Sequence, residues 1–123
     1  MPLTLSELPH TWLIDVDGTI LKHNGHKMGG DELLPGVVEL WSQMAAHDVV
    51  VLLSARTEQE MAPTLAYLDE HGLRYDHCLF GMPKGERILI NDRKPGGLMT
   101  AVAVNVGRDE GLAGVDVVVD SSL

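Results

Sequence analysis

The chain has a single cysteine, Cys78, so no internal disulfide can form. Set in the apolar run Cys78-Leu79-Phe80, it reads as a small core residue. A lone thiol without a disulfide framework fits a reducing, cytoplasmic setting. Aromatics are scarce, at 4% of 123 residues, so the core has to be built from Val, Leu, Ile, Ala and Met. Long apolar runs are missing too. The longest, Val49 to Leu53, is far too short to span a membrane. The opening MPLTLSELPH has neither a basic start nor a long apolar stretch, so no secretory leader is expected. Positive charge is in deficit: 9 Lys and Arg stand against 18 Asp and Glu, a net charge of −9. That balance argues against nucleic acid and membrane partners, yet leaves room for a small cationic pocket.

What is present is a 45% apolar composition in a chain of one-domain length, enough to bury a proper core. Apolar stretches alternate with helical patterns, the signature of an α/β protein with a parallel sheet. Strands are expected at Thr11 to Asp17, Val49 to Leu53, Asp76 to Phe80, Arg87 to Asn91 and Ala101 to Val106, with a sixth at Val115 to Val119. A helix should open at Pro35 and place Val37, Val38, Leu40, Trp41 and Met44 on one face. A second should start at the Thr57/Glu60 capping box, bury Met61, Leu65 and Leu68, and stop at Gly72. The expected architecture is a single doubly wound, Rossmann-like domain over residues 1–123, with a five- or six-stranded, mostly parallel sheet and helices on both faces.

In such sheets ligands bind beyond the carboxyl ends of the strands. That rule selects Asp15-Val16-Asp17-Gly18-Thr19 after strand one, Ser54-Ala55-Arg56 after strand two, Lys84 before strand four and Asn91-Asp92 after it. Asp15 and Asp17, two apart on an extended chain, face the same side. Buried unpaired, their charges repel at considerable cost, and a divalent cation resolves the conflict. Magnesium suits this donor set, and Asp92 supplies a further acid. Ser54 and the helix start behind it can hold phosphate oxygens, Lys84 can neutralise them, and Arg56 is either a substrate contact or a surface ion pair. The bland reading of Asp17-Gly18 is a turn. A calcium loop fails, because Gly18 comes too early and His26 stands where the closing Glu belongs. His23 and His26 share the loop Lys22 to Lys27, which either offers a zinc pair or contacts substrate.

Together these residues resemble the motifs of the haloacid dehalogenase-like superfamily. Asp15-Val16-Asp17-Gly18-Thr19 resembles its DxDGT motif, Ser54 its second motif, Lys84 its third and Asn91-Asp92 its acidic fourth. The resemblance implies that Asp15 attacks phosphorus and that Asp17 protonates the leaving oxygen and then activates water. It also implies that Mg2+ is held by Asp15, the main-chain carbonyl of Asp17, and Asp92, while Ser54 and Lys84 bind the phosphoryl group. With Ala55, Arg56, Gly18, Thr19 and His23, these last two make up the expected phosphate and substrate contacts. Asn91 departs from the acid pair often found in the fourth motif. The loops leave no space for a cap domain; capless members take large substrates or borrow a neighbouring subunit, which makes a homo-oligomer a natural partner. The implied reaction is hydrolysis of a small phosphorylated metabolite. Two other classes compete: a non-catalytic binding or scaffold protein of the same fold, and a receiver-type phospho-acceptor domain. The receiver reading is weakened because no Asp ends strand three.

Overall fold

The computed structural model describes residues 2–123. Its centre is a parallel sheet of three strands, β2 (Thr11–Asp15), β3 (Val49–Leu53) and β4 (His77–Leu79), with β3 in the middle. Thr11 faces Val49 and Asp15 faces Leu53, so the two chains end level at their carboxyl ends. On β3 the side chains of Val50 and Leu52 are fully buried while the alternate positions are half-buried. This is the period-two pattern of a strand packed more heavily on one face than on the other. A second, two-stranded parallel sheet joins β1 (Pro2–Leu5) to β5 (Asp116–Val119). β5 is the expected sixth strand, shortened. Its partner β1 was not anticipated, because Pro2-Leu3-Thr4-Leu5 is short and opens with proline.

Two helices cover the sheet. In α1 (Val37–Gln43) the buried positions Val37, Leu40 and Trp41, followed by Met44, repeat at helical spacing. Val38 departs from expectation and is exposed, being one position off that stripe. The helix starts from Gly36, whose φ of +79° favours glycine. A Cβ there would come within 2.1 Å of the Ala113 nitrogen. This contact, with the Leu112 amide donating to the Pro35 carbonyl at 2.8 Å, ties the C-terminal loop to the helix start. The Thr57/Glu60 capping box is formed and opens a one-turn 3-10 segment that leads into α2 (Met61–Glu70). Thr64 and Leu68 are its buried residues, and Leu65 is partly buried.

The largest departure is the segment between Gly81 and Val106. Arg87 to Asn91 and Ala101 to Val106, expected as strands, carry no strand pairing, so a five- or six-stranded sheet is not formed. Ile88 and Ile90 are 83% and 90% exposed. The cause lies in how this segment is anchored. The Gly81 and Met82 amides donate to the carbonyls of Arg56 and Ser54. Arg87 folds back onto the carbonyls of Pro83 and Gly85, with its guanidinium facing Asp15. The segment therefore starts at the carboxyl end of β2, whereas a strand parallel to β2 has to start at the opposite end. Val104 and Val106 return to pack against the core. No helix among the described residues is long and apolar enough to cross a membrane.

Candidate active site at the carboxyl end of the sheet

The local fold after β2 explains how Asp15 and Asp17 are presented. The Val16 carbonyl accepts hydrogen bonds from the amides of Thr19, Ile20 and Leu21, at 3.3, 3.1 and 3.1 Å. Gly18, at φ +80°, makes the reversal. The turn brings the Thr19 hydroxyl back to donate to Asp15 Oδ2 at 3.0 Å. Asp15 also accepts a backbone hydrogen bond from Val16, and Arg87 pairs with it, with Nη2 3.8 Å from Oδ1. The Asp15 side chain is 42% exposed. Burial of the rest pushes the carboxyl above its usual range, although Thr19 and Arg87 act in the other direction.

Asp17 sits in a different environment. Burial would raise its proton affinity, but Arg56 outweighs this and holds the carboxyl below the usual range. Arg56 Nε donates to Asp17 Oδ2 at 3.0 Å and Nη2 to Oδ1 at 2.8 Å, a bidentate pair. The guanidinium is only 1% exposed. Its remaining N–H groups go to Asp31 and Thr64, leaving no donor for a phosphate. Arg56 was expected as a substrate contact or a surface ion pair; in the structure it is a buried clamp.

Ser54 is also buried, and its hydroxyl accepts the Arg56 amide at 3.0 Å, closing the turn after β3. Ala55 is half-buried, and its amide makes no hydrogen bond among the described residues. The Gly18 amide is used by the Leu21 carbonyl. Lys84 is exposed and forms no ion pair among the described residues. The cation facing Asp15 is Arg87, three residues further on. Asp92 lies exposed beyond the unpaired segment, and its carbonyl accepts the Thr100 hydroxyl. Asn91 binds the same hydroxyl at 2.7 Å. Among the described residues no three His, Cys, Asp or Glu side chains converge as a metal site. The structure thus brings together Asp15, Asp17, Thr19, Ser54 and Arg56, while among the described residues no side-chain hydrogen bond or ion pair links Lys84 or Asp92 to them.

The loop beyond Leu21 is held from outside. Asp109 accepts the His23 amide at 2.7 Å and donates its own amide to the Gly18 carbonyl at 2.9 Å. The His26 ring opposes the Glu60 carboxylate without hydrogen-bond geometry, and its Nδ1 has no partner. His26 therefore faces the start of α2 rather than a second histidine. A surface groove of about 400 Å³ is lined by Gly36, Glu39, Gln43 and Leu112 and does not include these residues. Sequence reasoning missed Asp31, Arg87 and Asp109. Asp31 closes the glycine-rich loop and carries no pattern of its own; only the fold reveals its partner. Comparison with protein-family models, with curated proteins and with solved structures returns no match.

Proposed function

We propose that this protein is a magnesium-dependent phosphatase that hydrolyses a phosphate monoester through an aspartyl-phosphate on Asp15. The observation that carries the reading is the contrast between two neighbouring carboxylates. Asp15 is partly open to solvent and faces its cation only at 3.8 Å, while Asp17 is gripped in two places by a buried guanidinium. Pairs of acids whose surroundings push them apart are suited to different steps of one reaction. In the first step an Asp15 oxygen attacks phosphorus, the P–O bond to the leaving group breaks, and the leaving oxygen takes a proton from solvent water. In the second, water attacks the acyl phosphate, releasing inorganic phosphate and restoring the carboxylate. Held ionised, Asp17 is better suited to accept the proton of that water than to arrive already protonated.

The donor chemistry fits magnesium: Asp15 presents a partly exposed carboxylate, and hard oxygen ligands are what this ion takes. Asp15, the Asp17 carbonyl and Asp92 would hold it, and the ion would supply charge stabilisation to the phosphoryl group. We infer that in the working enzyme the segment Arg87 to Asn91 releases its anchor at Asp15 and joins the free edge of β2, with Arg87 moving to the amino end of the sheet. That would complete the five- or six-stranded doubly wound sheet and carry Asp92 toward Asp15. Two observations support this: β2 pairs with a strand on one edge only among the described residues, and Ile88 and Ile90 are left exposed. The haloacid dehalogenase-like resemblance supports the same reading. A small phosphorylated metabolite such as a sugar phosphate fits the net charge of −9 better than nucleic acid does. The loop Lys22 to Lys27 is the nearest candidate for selecting it. Turnover of a phosphomonoester panel with magnesium, abolished by Asp15→Asn, is the direct test; magnesium-dependent turnover that survives Asp15→Asn would refute the nucleophile assignment.

A further inference from the structure

Arg56 makes five hydrogen bonds with its five N–H groups, and every partner comes from a different part of the chain than the arginine itself. Asp17 follows β2, Asp31 closes the loop that leaves it, and Thr64 lies in the first half of α2. Nη2 and Nη1 donate to the two oxygens of Asp31 at 2.8 and 2.9 Å, and Nη1 also donates to Thr64 Oγ1 at 2.9 Å. One guanidinium is therefore shared by two carboxylates, leaving one uncompensated negative charge in a largely buried cluster. For stability alone the second acid is a poor choice, because desolvating an extra charge is costly. The two acids are also unequally placed: Asp31 is 8% exposed and Asp17 18%. Asp17 is the member more open to solvent and the one whose charge acts on Asp15, and Asp31 is the more deeply buried. A planar guanidinium fixed on one side by a bidentate carboxylate presents a fixed fork on the other.

We propose that Asp31 is a positioning residue, which through Arg56 fixes the orientation of the Asp17 carboxylate at the candidate active site. The inference rests on the phosphatase reading and adds to it a residue that touches neither substrate nor phosphate. Asp31→Asn keeps the shape but turns one accepting oxygen into an NH2 group that opposes the Arg56 donors. Partners standing behind an active group in this way typically change rate by about 10–100-fold when removed.

The experiment compares wild type, Asp31→Asn and a control, Asp48→Asn. Asp48 is a buried carboxylate at the other end of the sheet, where it accepts the His10 amide and the Trp12 indole N–H. Two readouts are taken on the full chain: steady-state kinetics on the best phosphomonoester of the panel, and the Arg56 Nε–H signal by NMR. The expected result for Asp31→Asn is a kcat lower by about tenfold or more with KM within about twofold, together with loss or rapid exchange of the Nε–H signal. Asp48→Asn should lower the melting temperature and leave kcat and the Nε–H signal alone. An unchanged Nε–H signal in Asp31→Asn overturns the proposal, as does an unchanged kcat in an active protein. Equal losses of kcat in both variants also overturn it, since a general loss of structure would then explain the effect. Absence of turnover in wild type is a different result, which refutes the phosphatase reading itself.

Discussion

Residues 11–80 and the segment from Pro83 to Val106 are built from similar apolar stretches but end in opposite states. Val49 to Leu53 and Arg87 to Asn91 are both five-residue runs rich in Val, Ile or Leu. The first lies between β2 and β4 with Val50 and Leu52 buried; the second leaves Ile88 and Ile90 in solvent. Composition separates them only in part, since the second run carries Arg87 and Asn91 at its ends where the first is apolar throughout. The delivery of the chain completes the difference: α1 delivers β3 to the amino end of the sheet, from which a parallel strand can rise. Arg87 is delivered to the carboxyl end, and the run leaves from there. Strand formation thus depends on the length and anchoring of the connection as much as on the residues in the run.

The comparison can be pressed by substitution. The largest effect is expected where the packed region holds its charges. Arg56→Met leaves the Asp17 and Asp31 carboxylates together without their cation and should cost about 3–5 kcal/mol in denaturant unfolding. A change below about 1 kcal/mol would mean that the clamp is open to water. Next comes Gly36→Ala, which forces a side chain against Ala113 at positive φ. It should cost about 2–4 kcal/mol, combining strain and overpacking; a neutral result would contradict the tie between α1 and the C-terminal loop.

The acid dependence of stability should be gentler. Hydrogen bonds from the Thr57 amide and hydroxyl hold Glu60 down to about 2, from an ordinary value of 4.5. Because the folded value is the lower one, this stabilisation is present above pH 4.5 and fades as the pH falls toward 2. Glu60→Gln should flatten the stability profile across that window. Asp15 carries the opposite sign: its raised value means that the folded state gains as the carboxyl is protonated. The smallest effect is expected in the exposed segment. Ile90→Asp should change the stability of the magnesium-free protein by less than about 0.5 kcal/mol. A loss above about 2 kcal/mol would show the segment packed rather than exposed.

Much of the fold was legible because it follows from local rules. β3, the two helices and the capping box lie close to where periodicity and end signals put them. Asp15, Asp17 and Ser54 gather at one edge because level parallel strands end together. The rest depended on contacts that no local pattern encodes. Arg56 looks like any arginine after a strand until Asp31 and Asp17 close on it from other elements. Arg87 takes the place by Asp15 expected for Lys84 because a turn at Pro83 and Gly85 folds it back. The pairing of β1 with β5 joins opposite ends of the sequence, beyond the reach of any window along it.

The measurement that bears most directly on the central claim is hydrolysis of a phosphomonoester panel by wild type and Asp15→Asn, each with magnesium and with EDTA. The account predicts magnesium-dependent turnover by wild type, lost with EDTA and lost in Asp15→Asn while that variant remains folded. Turnover that persists in Asp15→Asn, or a folded wild type that turns over no phosphomonoester in magnesium, would contradict it.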